Sequence, residues 1–425
     1  MLPILEPLTA ALIFRRESGR LVAALTRIFG VHQLSLAEDV VQDAFSRALE
    51  VWGSDGMPEN PGAWLMTTAK NRALDIVRRE RTARNFAPEM GRLLDSEWTL
   101  APLIDEAFDA HVIRDEQLRM MFSCCHARLS EEAQLALILN ILCGFSVHEI
   151  ASALLASNAA VEKRISRGKQ LLAEKPRLFE LRAADFQARS STVRNALYLL
   201  FNEGYHGASQ APVRRELCAE ALRLTELLLE YPPAATPETF ALAALFCLHA
   251  ARLPEKVDAV GDLNTLGEQD RSRWDARLAA EGLRLFERSA TGVELSAYHL
   301  EAAIAAVHAS ARTLGDTDWA TIVTAYDRLL GIAPSPVVAL NRAIAIGQRD
   351  GAERGLAELH AIVDRERLSQ YPFYAAAIGE FELQRGNASG ARRHFQIALA
   401  LGRNDAERRF LEKRLLSCTS GNAKD

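Results

Sequence analysis

The stretch Gly144–Lys169, GFSVHEIASALLASNAAVEKRISRGK, decides how this chain is read. Ser146 stands where a helix N-cap belongs, since its hydroxyl can accept a bond from a first-turn amide that has no partner within the helix. Ile150, Ala151 and Leu154 then return at helical spacing. A turn at 156–158 follows, and a second helix opens in which Val161 and Ile165 stand four residues apart on one side. Lys163, Arg164, Arg167 and Lys169 lie beside and opposite that side. A short basic helix braced by a small partner helix fits the major groove of duplex DNA. The plain alternative is a helical hairpin with a solvated basic face.

With 425 residues, 49% of them hydrophobic, the chain can bury more than one core. Its formal net charge is −5, so contact with nucleic acid must come from local patches. Residues 70–84 carry Lys70, Arg72, Arg78, Arg79, Arg81 and Arg84 against Asp75 and Glu80. Residues 163–182 form a second patch, with Lys175, Arg177 and Arg182 beyond the helix described above. Between them the chain is acidic, with Asp95, Glu97, Asp105, Glu106, Asp109, Asp115 and Glu116. That alternation suggests two DNA-facing modules joined by a linker that does not bind DNA. The six cysteines show no CxxC pair, and Cys124-Cys125-His126 has no second ligand pair near it. They are read as buried thiols, with no metal and no cofactor expected. No signal-peptide pattern and no apolar run of the ~20 residues that span a bilayer is present, so a cytoplasmic protein with no membrane partner is expected.

Nearly every segment has helical periodicity, which predicts an all-α fold. A first helix is expected over Leu8–Gly30. A second opens near Ser35 with a capping-box pattern to Glu38, and places Ala37, Val40, Val41, Ala44, Phe45, Ala48 and Leu49 on its apolar side. A loop over Gly53–Pro61 leads to a third helix, Pro61–Arg84, in which Trp64 is read as core and Asp75 as the partner of a nearby arginine. Ser130 should cap a helix Glu131–Cys143, and Pro176 should mark a break. Further on, FNEGYHG (Phe201–Gly207) ends an apolar helix. Asn202, Glu203, Tyr205 and His206 are candidates there for an interdomain or ligand patch, against the plainer reading of a capped helix end. Val337–Ile362 aligns with Phe373–Ala398 at an offset of 36 residues, matching Ala343 to Gly379, Arg349 to Arg385, Ala352 to Ala388 and Leu359 to Phe395. A third copy is expected around Tyr298–Leu330. Tetratricopeptide repeats, ~34 residues long, stack in this way.

Leu36–Phe45 (LAEDVVQDAF), Ala63–Arg79 (AWLMTTAKNRALDIVRR) and the helix-turn-helix, in that order, resemble an extracytoplasmic-function (ECF) RNA polymerase sigma factor, region 2 followed by region 4. The likeness covers roughly residues 5–180. The remainder resembles the sigma group that carries a C-terminal tetratricopeptide-like domain. The resemblance implies region 2 over 1–90, an acidic linker over 91–114, region 4 over 115–183, a helical extension over 184–290 and repeats over 291–420. It implies that Asp39, Gln42 and Asp43 face core RNA polymerase. Lys70, Asn71, Arg72, Arg78 and Arg79 would hold the unpaired strand of the −10 element, where cations and exposed base surfaces meet. Lys163, Arg164, Arg167 and Lys169 would read the −35 duplex. Ala160 departs from the threonine frequent in the family. The expected partners are polymerase core, promoter DNA and a protein bound by the C-terminal repeats. The sequence holds no GxxxxGK[ST], HExxH or GxSxG, so no catalytic residues and no enzyme are expected. The alternative is a one-component helix-turn-helix regulator with a protein-binding repeat domain; it would have no use for a strand-capture segment such as Ala63–Arg79.

Overall fold

Period-3.6 stripes fix the helices of the N-terminal half. Helix α1 (Pro7–Phe29) stops at Gly30, whose φ of +82° is left-handed and suits glycine. Helix α2 (Leu34–Asp55) buries Leu34, Ala37, Val40, Val41, Ala44, Ala48 and Trp52. Phe45 meets Phe14 of α1 edge-on at 4.8 Å. Two expectations fail on α2. Its N-cap is Gln33, with no side-chain cap bond, so Ser35 lies inside the helix and forms no capping box. Leu49 is 58% exposed instead of facing the core. Because α2 runs through Asp55, the loop before α3 (Pro61–Ala83) is short. Gly56 turns at φ +86°, and the Asn60 side chain accepts the Ala63 amide at 3.0 Å. Trp64, partly buried, packs edge-on against buried Trp52 at 5.3 Å.

The chain is described here from a computed structural model, over residues 7–30, 33–83, 110–154, 156–174, 183–207, 213–258, 260–292 and 294–420. The expected acidic linker lies outside these residues, except that 110–114 already belong to helix α4 (Ala110–Cys124). Pro176 also lies outside them. Contacts divide the chain into two compact units, 1–200 and 201–425.

Within the first unit, α5 (Glu131–Ile141) is the central strut. Ala133, Leu135 to Leu139 and Ile141 are all buried, as in a helix surrounded on every side. Ser130 occupies its N-cap position but makes no side-chain cap bond. Helix α1 reaches this strut by a close approach. A Cβ added to Gly19 would stand 2.6 Å from the carbonyl oxygen of Leu142, so only glycine permits the contact without a backbone shift. Helices α6 (Val147–Ala153) and α7 (Asn158–Ala173) complete the module. The start of α8 (Ala183–His206) is held to α4 by Arg189, which donates to the Phe122 carbonyl at 3.1 Å, and by the Phe122–Phe186 ring contact at 4.6 Å.

The second unit is also all-α among the described residues, apart from one isolated bridge between Val257 and Leu263. Phe201, near the end of α8, stacks on Phe246 of α10 (Pro237–Ala250) with centroids 4.3 Å apart. Helices α9 (Arg215–Glu230) and α12 (Ala276–Ser289) pack against α10, and the short α11 (Leu253–Lys256) follows α10 in the chain. Helix pairs follow: α13 (Ala297–Ser310) with α14 (Trp319–Ile332), α15 (Pro336–Asp350) with α16 (Ala352–His360), and α17 (Pro372–Gln384) with α18 (Ala388–Ala400). The aligned segments are therefore two successive helical hairpins, each turned at a positive-φ glycine, Gly351 and Gly386. Their cores differ by a compensated exchange. Ala343 and Leu359 share a cluster in the first copy. In the second, Phe395 lies so close to Gly379 that a Cβ there would meet its ring at 2.9 Å. The larger side chain is accommodated by the smaller partner. Helix α19 (Asp405–Ser420) closes the stack, burying Leu411 and Cys418 against Phe395 and Ala398.

Candidate nucleic-acid interface

The helix-turn-helix is built as its sequence demands. Ser146 and Glu149 form a reciprocal capping box. The Ser146 hydroxyl accepts the Glu149 amide at 3.3 Å, and the Glu149 carboxylate accepts the Ser146 amide at 2.8 Å. Ser157 caps α7, accepting the Ala160 amide at 3.3 Å. Val161, Ile165, Gly168 and Leu172 form the buried stripe of α7. At Gly168 a Cβ would meet the Leu137 side chain at 2.6 Å, so α7 lies tightly on α5. That seating turns Lys163 and Arg167 to solvent and leaves Arg164 partly buried. Arg164 also adds a small pull to the Glu132 carboxyl, which is held below its usual range chiefly by its own backbone amide and the Ser130 hydroxyl.

Lys169 is placed differently from its three neighbours. Its Nζ donates to both carboxylate oxygens of Glu38 on α2, at 2.7 and 2.9 Å. The two side chains are only 23% and 21% exposed. A cavity of about 460 Å³ opens beside the pair, lined by Phe14, Val41, Gln42, Asn140, Phe145 and Glu149 among others. The basic helix and the acidic helix of the preceding module are thus fastened to each other.

On α2, Asp39, Gln42 and Asp43 are all exposed. Asp43 pairs with Arg72 of α3, with Oδ2 2.9 Å from Nη2 and 3.0 Å from Nε. A residue expected at the polymerase interface and one expected on the −10 strand therefore meet. Asn71 and Arg79 are exposed, Lys70 is partly buried, and the Arg78 side chain lies outside the described residues. Asp75 is exposed; the side chains of Arg78 and Arg81, arginines near it in sequence, lie outside the described residues. Sequence reasoning missed three participants. Glu38 looked like a capping residue, Gly19 gave no signal, and Leu49 was assigned to the core. Leu49 stands two turns beyond Gln42 on the same helical face, an exposed apolar residue beside polar ones, as protein interfaces require.

The FNEGYHG segment is a packed helix end. The Arg214 amide donates to the Gly204 carbonyl at 2.7 Å, Glu203 faces Arg214 at 3.5 Å, and a Cβ on Gly204 would meet Cys218 Sγ at 2.8 Å. Asn202 is partly buried and Tyr205 buried. Tyr205 presents its ring to Lys256, whose Nζ lies 3.2 Å from the centroid, while His206 Nδ1 is 3.4 Å from the same nitrogen. Burial, with Arg252 adding repulsion, holds the Lys256 pKa well below the usual lysine range. All six cysteines are unpaired and buried. Among the described residues no group of three His, Cys, Asp or Glu is placed to hold a metal, and no helix is long and apolar enough to cross a membrane.

Comparison with known proteins agrees with this geometry. Residues 13–83 match the sigma-70 region 2 family, and residues 119–172 match sigma-70 region 4. Residues 189–290 match a family of unknown function (DUF6596). A protein of Rhizobium meliloti (strain 1021), named only as uncharacterized, is 39% identical over 399 residues, 93% of this chain and 92% of its own length. The ECF RNA polymerase sigma factor SigK of Mycobacterium sp. (strain KMS) is 27% identical over 37% of this chain and 78% of its own. SigX of Bacillus subtilis (strain 168), another ECF RNA polymerase sigma factor, is 23% identical over 36% and 76%. With region 2 carried by α1–α3, region 4 by the capped helix-turn-helix, and a helical extension beyond them, the chain belongs to the ECF-type sigma factors that bear a C-terminal extension.

Proposed function

We propose that this chain joins core RNA polymerase and directs it to particular promoters for initiation, as the ECF sigma factors it resembles are named for doing. The observation that carries this reading is the presence, in order on one chain, of α2–α3 matching region 2 and a doubly capped helix-turn-helix matching region 4. A duplex-only regulator has no use for the first of these, so that alternative is not favoured. In this reading the exposed face with Asp39, Gln42, Asp43 and Leu49 docks on polymerase. Lys70, Asn71, Arg72, Arg78 and Arg79 hold the opened −10 strand, and Lys163, Arg164 and Arg167 contact the −35 duplex. Lys169 joins them once it leaves Glu38. The sigma chain supplies binding energy to melted DNA while the polymerase performs the chemistry, and both act in the cytoplasm. The linker raises the effective concentration of the second module once the first is bound. Residues 184–290 and the repeats over 291–420 act as a built-in regulator or as an anchor for a protein partner, because stacked helical hairpins form extended binding surfaces.

Run-off transcription with purified core polymerase tests the reading. The full chain is expected to start transcripts from a template carrying both elements. Arg164→Ala should lower initiation by roughly 5- to 100-fold, the value of one good base or phosphate contact, while core binding stays intact. Asp39→Ala should weaken core binding instead. Duplex binding without initiation would favour the regulator.

A further inference from the structure

The second unit holds a cavity of about 330 Å³ that promoter recognition does not use. This is the lower end of the range for small-molecule sites, roughly 300–1,000 Å³. Phe373, Phe381, Phe395 and Phe410 line it, and Lys256 and His206 contribute polar groups. Arg414 and Glu380, which also line it, neutralise each other at 2.7 Å.

Lys256 is the unusual member. It is 8% exposed, and among the described residues no carboxylate lies within ion-pair distance of it. Its Nζ has only the Tyr205 ring face and His206 Nδ1 for company. Beside it, the buried Tyr205 hydroxyl has no hydrogen-bond partner among the described residues. An amine placed this way carries a desolvation penalty that no anion among the described residues offsets. The surrounding structure nevertheless holds it firmly. The Asn264 amide donates to the Lys256 carbonyl at 3.0 Å, and Asp262, on the same loop, binds Arg409 and Lys413 of α19, each at 2.5 Å. An apolar chamber with one uncompensated amine fits a ligand with an apolar body and a single negative charge.

We propose that this cavity binds a small apolar carboxylate, its ring or chain among the four phenylalanines and its carboxylate on Lys256. A neutral compound of the same shape would fill the chamber but leave the amine without a counter-ion. A phosphate or a dianion would place excess charge against aromatic walls. The proposal is independent of promoter recognition and stands or falls on binding alone.

The test uses the full chain and a matched pair of probes, 2-naphthoate and its neutral amide 2-naphthamide, titrated by calorimetry and by ligand-observed NMR. Naphthoate should bind at least on the order of tenfold more tightly than naphthamide, as loss of one charge-assisted bond implies. Lys256→Met should erase that difference, and Ala376→Trp, which fills the chamber from its wall, should abolish binding of both. Equal affinity for the two probes, no binding at millimolar concentration, or naphthoate binding that survives Ala376→Trp would overturn the proposal. So would a Lys256→Met chain that keeps the preference. Should Lys256→Met fail to fold, the probe comparison on the native chain and the Ala376→Trp variant still decide.

Discussion

The Glu38–Lys169 pair predicts a measurable equilibrium within the first unit. On the proposed reading, contact with two separated promoter elements parts the two modules, and this pair is one of the bonds that then breaks. Both carboxylate oxygens are engaged at 2.7 and 2.9 Å, and each side chain is about a fifth exposed. A surface pair contributes up to about 1 kcal/mol and a hydrogen bond to a charged group about 1.5–3, so the residual water leaves about 1–2 kcal/mol here. Glu38→Gln or Lys169→Gln should therefore shift the opening equilibrium by roughly 5- to 30-fold. The readout is the distance between probes on introduced cysteines at Ser46 of α2 and Ser166 of α7, both exposed. Labelling there is selective because every native thiol is buried, and burial pushes Cys125, Cys218 and Cys247 up to about 12. The double variant should open no further than either single one. Coupling below about 0.3 kcal/mol, or an unchanged distance distribution in all three variants, would refute the argument.

Two further outcomes are expected. Ser146→Ala removes one half of the capping box and should lower the stability of the first unit by about 1 kcal/mol in denaturant titrations, with Ser146→Asp restoring most of it. In the second unit, burial, with Arg252 and Arg271 nearby, lowers the His308 pKa from its ordinary 6.5 to about 3. Between those values the unfolded chain binds the proton and the folded chain does not, so stability should fall as pH drops below about 6.5. His308→Gln should flatten that slope by up to one proton in denaturation midpoints taken between pH 7 and 5, above the range where carboxylates titrate.

How much of this was legible depends on where each residue's partner lies in sequence. The stripe Val161–Ile165, the Ser146 cap and the hairpin repeat were readable because their partners stand within a turn or recur at a fixed offset. The pattern Ser35-x-x-Glu38 is chemically the same as Ser146-x-x-Glu149, yet only the second forms a capping box. With Leu34 buried as its first residue, α2 starts two residues further upstream, so Ser35 lies inside the helix instead of flanking it, and the freed Glu38 carboxylate meets a lysine 131 positions away. Leu49 failed for a related reason. Helical periodicity marks an apolar side but not its edge, and tertiary packing stopped short of that residue.

Cations show the same division most sharply. The basic character of α7 was evident from composition, but which of its charges face solvent was not. Lys163 and Arg167 do, whereas Lys169 is tied to Glu38 by an approach that Gly19 and Gly168 permit through their missing Cβ atoms. Lys256 carried no signal at all in Leu-Pro-Glu-Lys, an ordinary helix end. It becomes distinctive only when the fold removes it from water against Tyr205 and His206 of α8, with no carboxylate among the described residues at ion-pair distance. A lysine's chemistry is set by whether the fold supplies its counter-ion. Among the described residues Lys169 has such a partner in Glu38, and on the proposed reading DNA takes its place; Lys256 has none there, and on the proposal above a bound carboxylate fills that role.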